Sequence, residues 1–223
     1  MTDAIDLALV DNTSQRLPCV LILDGSLSMD GPPIIELNAG LRILEEELKK
    51  DDIASQRVQL LVIRLGGRDK VEVLCDWTDA MSFSSPIVEA NGSTPLGAAV
   101  RLGLTKIEEQ KARYRANGIT YNRPWLFMLT DGEPTDTGWE QAAAECQEAE
   151  KKGKVVVFCI AAGAAEMSKL ERFSTRKPVR LDGLKFKELF VWLSQSAKSG
   201  SVATQGTNAQ LAPPTDWMQV PTA

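Results

Sequence analysis

The chain has 223 residues, with 25 Lys and Arg against 30 Asp and Glu and a formal net charge of −5; this is the length of one ordinary domain with a substantial core, or of two small ones. Apolar residues make up 43% and charged residues 25%, which excludes a disordered polymer, and the acidic balance argues against nucleic acid as a partner because phosphate neutralisation needs clustered Lys and Arg. There is no histidine, which removes His-dependent general bases, His triads and most zinc sites and leaves carboxylates and hydroxyls to carry any chemistry.

In chain order, residues 1–16 form an acidic N-terminal segment without the basic stretch and apolar run of a signal peptide. No apolar run reaches about 18 residues, so no membrane span is expected and the reading is a cytoplasmic protein. Pro18–Leu23 (PCVLIL) is short, branched and continuous, as in a strand covered on both faces. Ile34, Leu37, Leu41, Leu44 and Leu48 then repeat at helical spacing through Lys50. Val58–Leu65 predicts a second strand, turned at Gly66-Gly67-Arg68-Asp69 into a hairpin partner over Lys70–Leu74.

Leu96, Val100, Gly103 and Ile107 mark a helix that runs to about Arg115, before Asn117-Gly118. Its charged run, Lys106–Arg115, predicts a solvated face. Pro124–Leu129 is a further buried strand, Trp139–Lys152 a helix stopped by Gly153, and Val155–Ala161 the most strand-like run in the chain. Ala165–Phe173 predicts a helix, Val179–Leu181 a short strand, and Phe186, Leu189, Phe190 and Leu193 a last helix. From about residue 200 the composition turns to Ser, Gly, Thr, Gln and Pro, as in a flexible tail (200–223) that ends on Trp217-Met218-Gln219-Val220. Cys19 and Cys159 sit in apolar runs, and with Cys75 and Cys146 show no C-x-x-C pair, so reduced, buried thiols are expected.

This alternation predicts an α/β fold: a doubly wound, mostly parallel central sheet with one antiparallel edge strand and helices on both faces, spanning residues 17–199. In such sheets ligands bind beyond the carboxyl ends of the strands. Three polar loops fall there: Asp24-Gly25-Ser26-Leu27-Ser28, Gly92-Ser93-Thr94-Pro95-Leu96-Gly97, and Thr130-Asp131-Gly132-Glu133-Pro134-Thr135-Asp136. Taken singly, the first reads as a strand-end turn, Thr94 before Pro95 as a helix N-cap, and Asp131-Gly132 as a turn dipeptide. Taken together, Asp24, Ser26, Ser28, Thr94 and Asp131 offer five small oxygen donors from three loops, a set suited to a hard cation, Mg²⁺ first and Mn²⁺ as a substitute. Glu133 and Asp136 read as solvated loop charges, with a water-bridged contact to the metal as the second reading; electrostatic tuning of the site is the second reading for Asp30, and Trp77 and Trp139 read as core or rim packing or as the frame of a partner surface.

The constellation resembles the metal-ion-dependent adhesion site of the von Willebrand factor A family, whose pattern is Asp-x-Ser-x-Ser in the first loop, Thr in the second and Asp in the third. Here these positions are Asp24, Ser26, Ser28, Thr94 and Asp131, and Leu27 stands where a Gly is frequent. The opening RLPCVLILDGSLSMDGPPI, the STPLGAA helix start and the Pro-rich tail look most like the TerY type within that family, bacterial cytoplasmic proteins linked to tellurium resistance and stress response.

The resemblance implies a metal-dependent protein-interaction module or scaffold. Its protein partner would complete the metal shell with an Asp or Glu, and a protein kinase or phosphatase is an associated partner. With no His, no Lys in the three loops and no G-x-x-x-x-G-K phosphate loop, an enzyme is not expected. The alternative is a metal-dependent phosphohydrolase or phosphoacceptor at the same site.

Overall fold

The computed structural model describes residues 12–67, 70–163, 165–181, 183 and 185–202. In order they form β1 (Leu17–Gly25), a 3₁₀ turn (Leu27–Met29), α1 (Pro32–Lys49), α2 (Ala54–Arg57), β2 (Val58–Gly66), β3 (Lys70–Asp79), α3 (Leu96–Ala116), β4 (Trp125–Thr130), α4 (Trp139–Lys151), β5 (Val156–Ala161), α5 (Met167–Leu170), β6 (Val179–Arg180) and α6 (Phe186–Val202). The sheet order is β3-β2-β1-β4-β5-β6. Every pairing is parallel except β2 with β3, which places the expected antiparallel strand at one edge.

Period-two alternation divides the core between the two faces of the sheet. Leu17, Cys19, Leu21 and Leu23 of β1 pack with Leu37, Leu41, Leu44 and Leu48 of α1 and with Phe186, Phe190 and Leu193 of α6. Val20 and Ile22, pointing the other way, join Leu96, Ala99, Val100 and Ile107 of α3 and Ala143 and Cys146 of α4. Covered on both sides, β1, β2 and β4 are buried along their whole length. Cys19, Cys146 and Cys159 are free thiols in this core, and burial pushes each of them up from the ordinary thiol range.

The chain builds outward from β1 to β2 and β3, then returns to the other side of β1 for β4, β5 and β6. The strand order therefore switches between β1 and β4, and the crevice at their carboxyl ends is where this topology offers a site. Asp24 is the penultimate residue of β1 and Asp131 follows the last residue of β4.

The short helix α2 is not among the elements the sequence predicts, and three predicted elements differ from expectation. Ala165–Phe173 holds only the single helical turn Met167–Leu170; the i+3 bonds Arg172 N to Lys169 O (3.2 Å) and Phe173 N to Leu170 O (3.1 Å) then swing Phe173 under Trp139, ring centroids 6.0 Å apart. β3 runs on to Asp79, because a register shift opposite Leu60 and Val62 absorbs its polar end. α6 continues past Ser199 to Val202: Gly200 packs against the Trp125 ring, where a Cβ would lie 2.6 Å from Cζ2, and Ser196 and Ser201 are fully buried. Arg68 and Asp69 of the expected turn, and the tail residues Trp217-Met218-Gln219-Val220, lie outside the described residues. Among the described residues no helix is long and apolar enough to cross a membrane.

Candidate metal centre

Asp24 is fully buried at the end of β1. One carboxylate oxygen accepts the Ser26 backbone N–H at 2.8 Å and the other accepts the Thr130 hydroxyl. From there a line of hydroxyls leaves the core: Ser26 Oγ and Ser28 Oγ are 2.9 Å apart, and Ser28 Oγ donates to Asp131 Oδ1 at 2.7 Å. The extended Ser26 backbone (φ −70°, ψ 167°) leads into the 3₁₀ turn and puts the two serine hydroxyls on one side.

Thr94 reaches the same place from the second loop. It does not cap α3, which starts at Leu96 without a cap from the preceding side chain. The Asp136 carboxylate takes that role from the third loop, accepting Gly97 N–H at 3.2 Å and Ala98 N–H at 2.9 Å. Thr94 is pinned through its backbone instead, its N–H donating to Thr135 Oγ1 (3.0 Å) and its carbonyl accepting Thr135 N–H (2.9 Å). Its hydroxyl then lies against Gly132, where a Cβ would stand 3.1 Å from Thr94 Oγ1 and 3.9 Å from Ser28 Oγ. One small volume is thus bordered by hydroxyls of two loops, and Gly132 leaves it open.

All five residues singled out from the sequence are brought together. Glu133 is turned outward to pair with Lys169, which also meets Glu166 at 3.2 Å, and Asp136 is spent on the helix cap. Leu27 lies in the right-handed 3₁₀ turn and is 66% exposed.

Some supports were not legible in the sequence. Nothing in the sequence of the third loop marks Thr130 as the partner of Asp24. Arg64 of β2 lies over Gly25, where a Cβ would stand 2.6 Å from Arg64 Nε, and its guanidinium donates to Asn91 Oδ1 at 2.9 Å. Asn91 N–H in turn donates to the Gly25 carbonyl (2.8 Å), and Leu27 N–H to the Gly92 carbonyl (3.0 Å). The second loop is thereby laced to the first by backbone bonds that no motif spacing announces.

The electrostatics suit a cation. Burial raises the Asp24 carboxyl from its ordinary value; hydrogen bonds from Ser26 and Thr130 oppose this, and the Asp131 charge adds to it. No Lys or Arg pairs with Asp24 or Asp131 among the described residues. Two carboxylates and three hydroxyls, small and oxygen-only, fit a hard divalent ion.

The family model of the von Willebrand factor type A domain matches residues 19–186. Among solved structures, the pilus adhesin SpaC of Lactobacillus rhamnosus GG superposes with a TM-score of 0.66 at 13% identity, covering 84% of this chain and 31% of the adhesin. The ArnB paralog VWA2 of Sulfolobus acidocaldarius gives 0.55 at 16% identity over 82% of this chain and 46% of that one. The conserved hypothetical protein BatB of Bacteroides thetaiotaomicron gives 0.53 at 17% identity over 82% of this chain and 100% of that one. The chain spans less than half of the adhesin and of the archaeal protein, and at these identities the likeness is one of fold. Comparison with curated proteins gives no match.

Proposed function

The chain belongs to the von Willebrand factor type A domain family, and on that premise we propose that it is a metal-dependent protein-interaction module. Asp24, Ser26, Ser28, Thr94 and Asp131 would hold Mg²⁺, or Mn²⁺ in its place. The observation that carries this reading is the hydrogen-bonded line from Ser26 through Ser28 to Asp131, which joins two of the loops 103 positions apart, with the Thr94 hydroxyl facing the same volume.

When bound, the ion supplies a Lewis-acidic position whose charge two carboxylates only just balance, which leaves an affinity for one more anionic oxygen. The chain's own groups do the rest. Thr130 and the Ser26 N–H fix the Asp24 carboxylate, Ser28 orients Asp131, and Thr135 holds the Thr94 loop still. A partner Asp or Glu is the ligand such a site would take. A pilus adhesin is among the chains of similar fold, and the reading extends attachment, not its target, to this chain.

The same reading makes the site a binding site rather than an active site: Lys169, the lysine that reaches the third loop, is already engaged by Glu133 and Glu166. On the motif likeness given above, the module serves a bacterial cytoplasmic tellurite-resistance or stress-response system of the TerY type, with a protein kinase or phosphatase as associated partner. Calorimetric titration with Mn²⁺ and Mg²⁺ tests the site. One ion per chain is expected for the parent, with affinity reduced about 100-fold in Asp131→Ala, about 2.8 kcal/mol. A parent that takes up neither ion would end this reading. The cellular assignment predicts that a deletion strain sensitised to tellurite is rescued by the parent gene and not by Asp131→Ala.

A further inference from the structure

Beside the metal centre the surface changes sign. Residues 169–180 carry Lys169, Arg172, Arg176, Lys177 and Arg180 against the single acid Glu171, in a chain whose acids outnumber its bases by 30 to 25. Of these cations, Lys169 meets the carboxylates of Glu133 and Glu166, and Arg176 meets that of Glu150. Arg172 and Arg180 do not. Among the described residues no carboxylate pairs with either, and both are exposed.

Both are nevertheless held in place at the site's end of the sheet. Arg180, at the carboxyl end of β6, donates to the Gly163 carbonyl (2.7 Å) and to the Ala165 carbonyl (2.9 Å). Gly163 abuts the metal centre directly: a Cβ there would lie 3.7 Å from Cβ of Asp131. Arg172 lies over the Trp139 ring, 5.0 Å from its centroid, and Trp139 opens α4 just behind the third loop, against Gly97. A guanidinium stacked on an aromatic or fixed by two carbonyls has already lost most of its rotamer freedom, and each keeps donors for a bidentate acid.

We propose that Arg172 and Arg180 form a reading surface for an acidic protein segment, taking further carboxylates of the same partner whose first carboxylate enters the metal shell. This rests on the metal-dependent reading above and narrows its partner from any exposed Asp or Glu to an acid-rich stretch. The arginines lie on the β5–β6 side, so the extra acids continue from the metal in that direction; on the other side stand the exposed apolar Leu27 and Ile35.

The test is fluorescence anisotropy with a labelled octapeptide of alternating Asp and Ser, its Asn-Ser counterpart and its phosphoserine counterpart, in Mg²⁺ and in EDTA. The parent is expected to bind the Asp peptide at least about 10-fold better than the Asn peptide, with Arg172→Gln and Arg180→Gln each weakening it about 3- to 10-fold and flattening its salt dependence. Arg172→Lys, which keeps the charge but not the planar fork or the stack, should recover only part of the binding, and Mn²⁺ affinity should stay within about twofold in Arg172→Gln, which separates recognition from damage to the metal loops. Equal binding of the Asp peptide by parent and both Gln variants overturns the proposal, as does no preference for Asp over Asn. A strong preference for the phosphoserine peptide overturns it too, in favour of a phosphopeptide surface. Loss of binding in the variants with no difference between Mg²⁺ and EDTA would uphold the arginine surface and sink the metal reading; dependence on Mg²⁺ with intact variants would do the reverse.

Discussion

The Ser28 hydroxyl donates to the Asp131 carboxylate across 2.7 Å, so the loop after β1 and the loop after β4 meet through one short bond. Ser28 is exposed while Asp24, four positions earlier, is fully buried. The centre is therefore graded: a rigid inner carboxylate and an outer pair that a ligand can rearrange. Ser28→Ala removes one donor and frees Asp131 to rotate. Mn²⁺ affinity should fall about 10-fold with a melting temperature changed by little, since an exposed hydroxyl contributes about 0.5–1.5 kcal/mol at most to folding. Titration calorimetry and thermal melts of the same sample check both halves.

Gly132 gives a cleaner separation of site from fold. A Cβ there would crowd Thr94 Oγ1 at 3.1 Å, and its next neighbours are Thr94 Cγ2 at 3.8 Å and Ser28 Oγ at 3.9 Å, all groups of the site. Its φ is not among the left-handed glycines of the chain, so Ala adds no backbone strain. Gly132→Ala is expected to weaken Mn²⁺ binding about 10-fold while leaving the midpoint of urea unfolding in place. A shifted midpoint with unchanged metal affinity would show that Gly132 serves the fold instead.

The element types and the five donors were readable because each rests on a local signal. Apolar runs such as Val156–Ala161 mark buried strands, and the order Asp-x-Ser-x-Ser, Thr, Asp places donors at strand ends. What was not readable depends on contacts between segments far apart. Asp136 caps a helix 38 to 39 positions before it, and Arg64 fills the space that Gly25 leaves. The end of α6 looked like tail because Ser and Gly are turn formers; it is helix because Trp125 and Leu17 leave room for nothing larger than Gly200. Tertiary packing overrode local propensity there.

The cap assignment predicts a stability effect without a metal effect. Asp136→Ala leaves the Gly97 and Ala98 N–H groups without their acceptor and should cost about 1 kcal/mol. Mn²⁺ stoichiometry should remain one per chain. If Asp136 instead met the ion through water, its removal would lower Mn²⁺ affinity and leave chemical unfolding unchanged, an outcome the titration would expose.

Glu150 contributes to the acid limb of stability. Burial alone would raise its carboxyl, but the N–H groups of Val157 and Thr175 and the hydroxyls of Thr175 and Ser174 outweigh this and hold it below the ordinary range. A depressed folded value stabilises the fold above the unfolded carboxyl range near pH ~4.3, and that stability is lost as pH falls through the lower folded value. Glu150→Gln should therefore flatten stability between about pH 5 and pH 3 relative to the parent. Glu150→Ala, which strands several donors between α4, β5 and the approach to β6, should cost about 2–4 kcal/mol at neutral pH. Urea unfolding across pH reads both.

Leu27 is the position where the first loop departs from its commonest form, and its backbone decides what that departure costs. It sits in a right-handed 3₁₀ turn after an extended Ser26, its N–H bonded to the Gly92 carbonyl at 3.0 Å and its side chain 66% exposed. A leucine tolerates that conformation without strain, and Gly there would only loosen the unfolded chain and the turn. Leu27→Gly is thus expected to lose about 0.5–1 kcal/mol of stability and to leave Mn²⁺ affinity within about twofold. The opposite result, tighter metal binding at unchanged stability, would mean that the leucine side chain obstructs the donors and that the loop relaxes when it is gone. Because the side chain points to solvent beside the five donors, its remaining role is contact: Leu27→Gly should weaken capture of an acidic partner segment that carries an apolar residue next to its metal-binding carboxylate, and leave a purely acidic one unaffected.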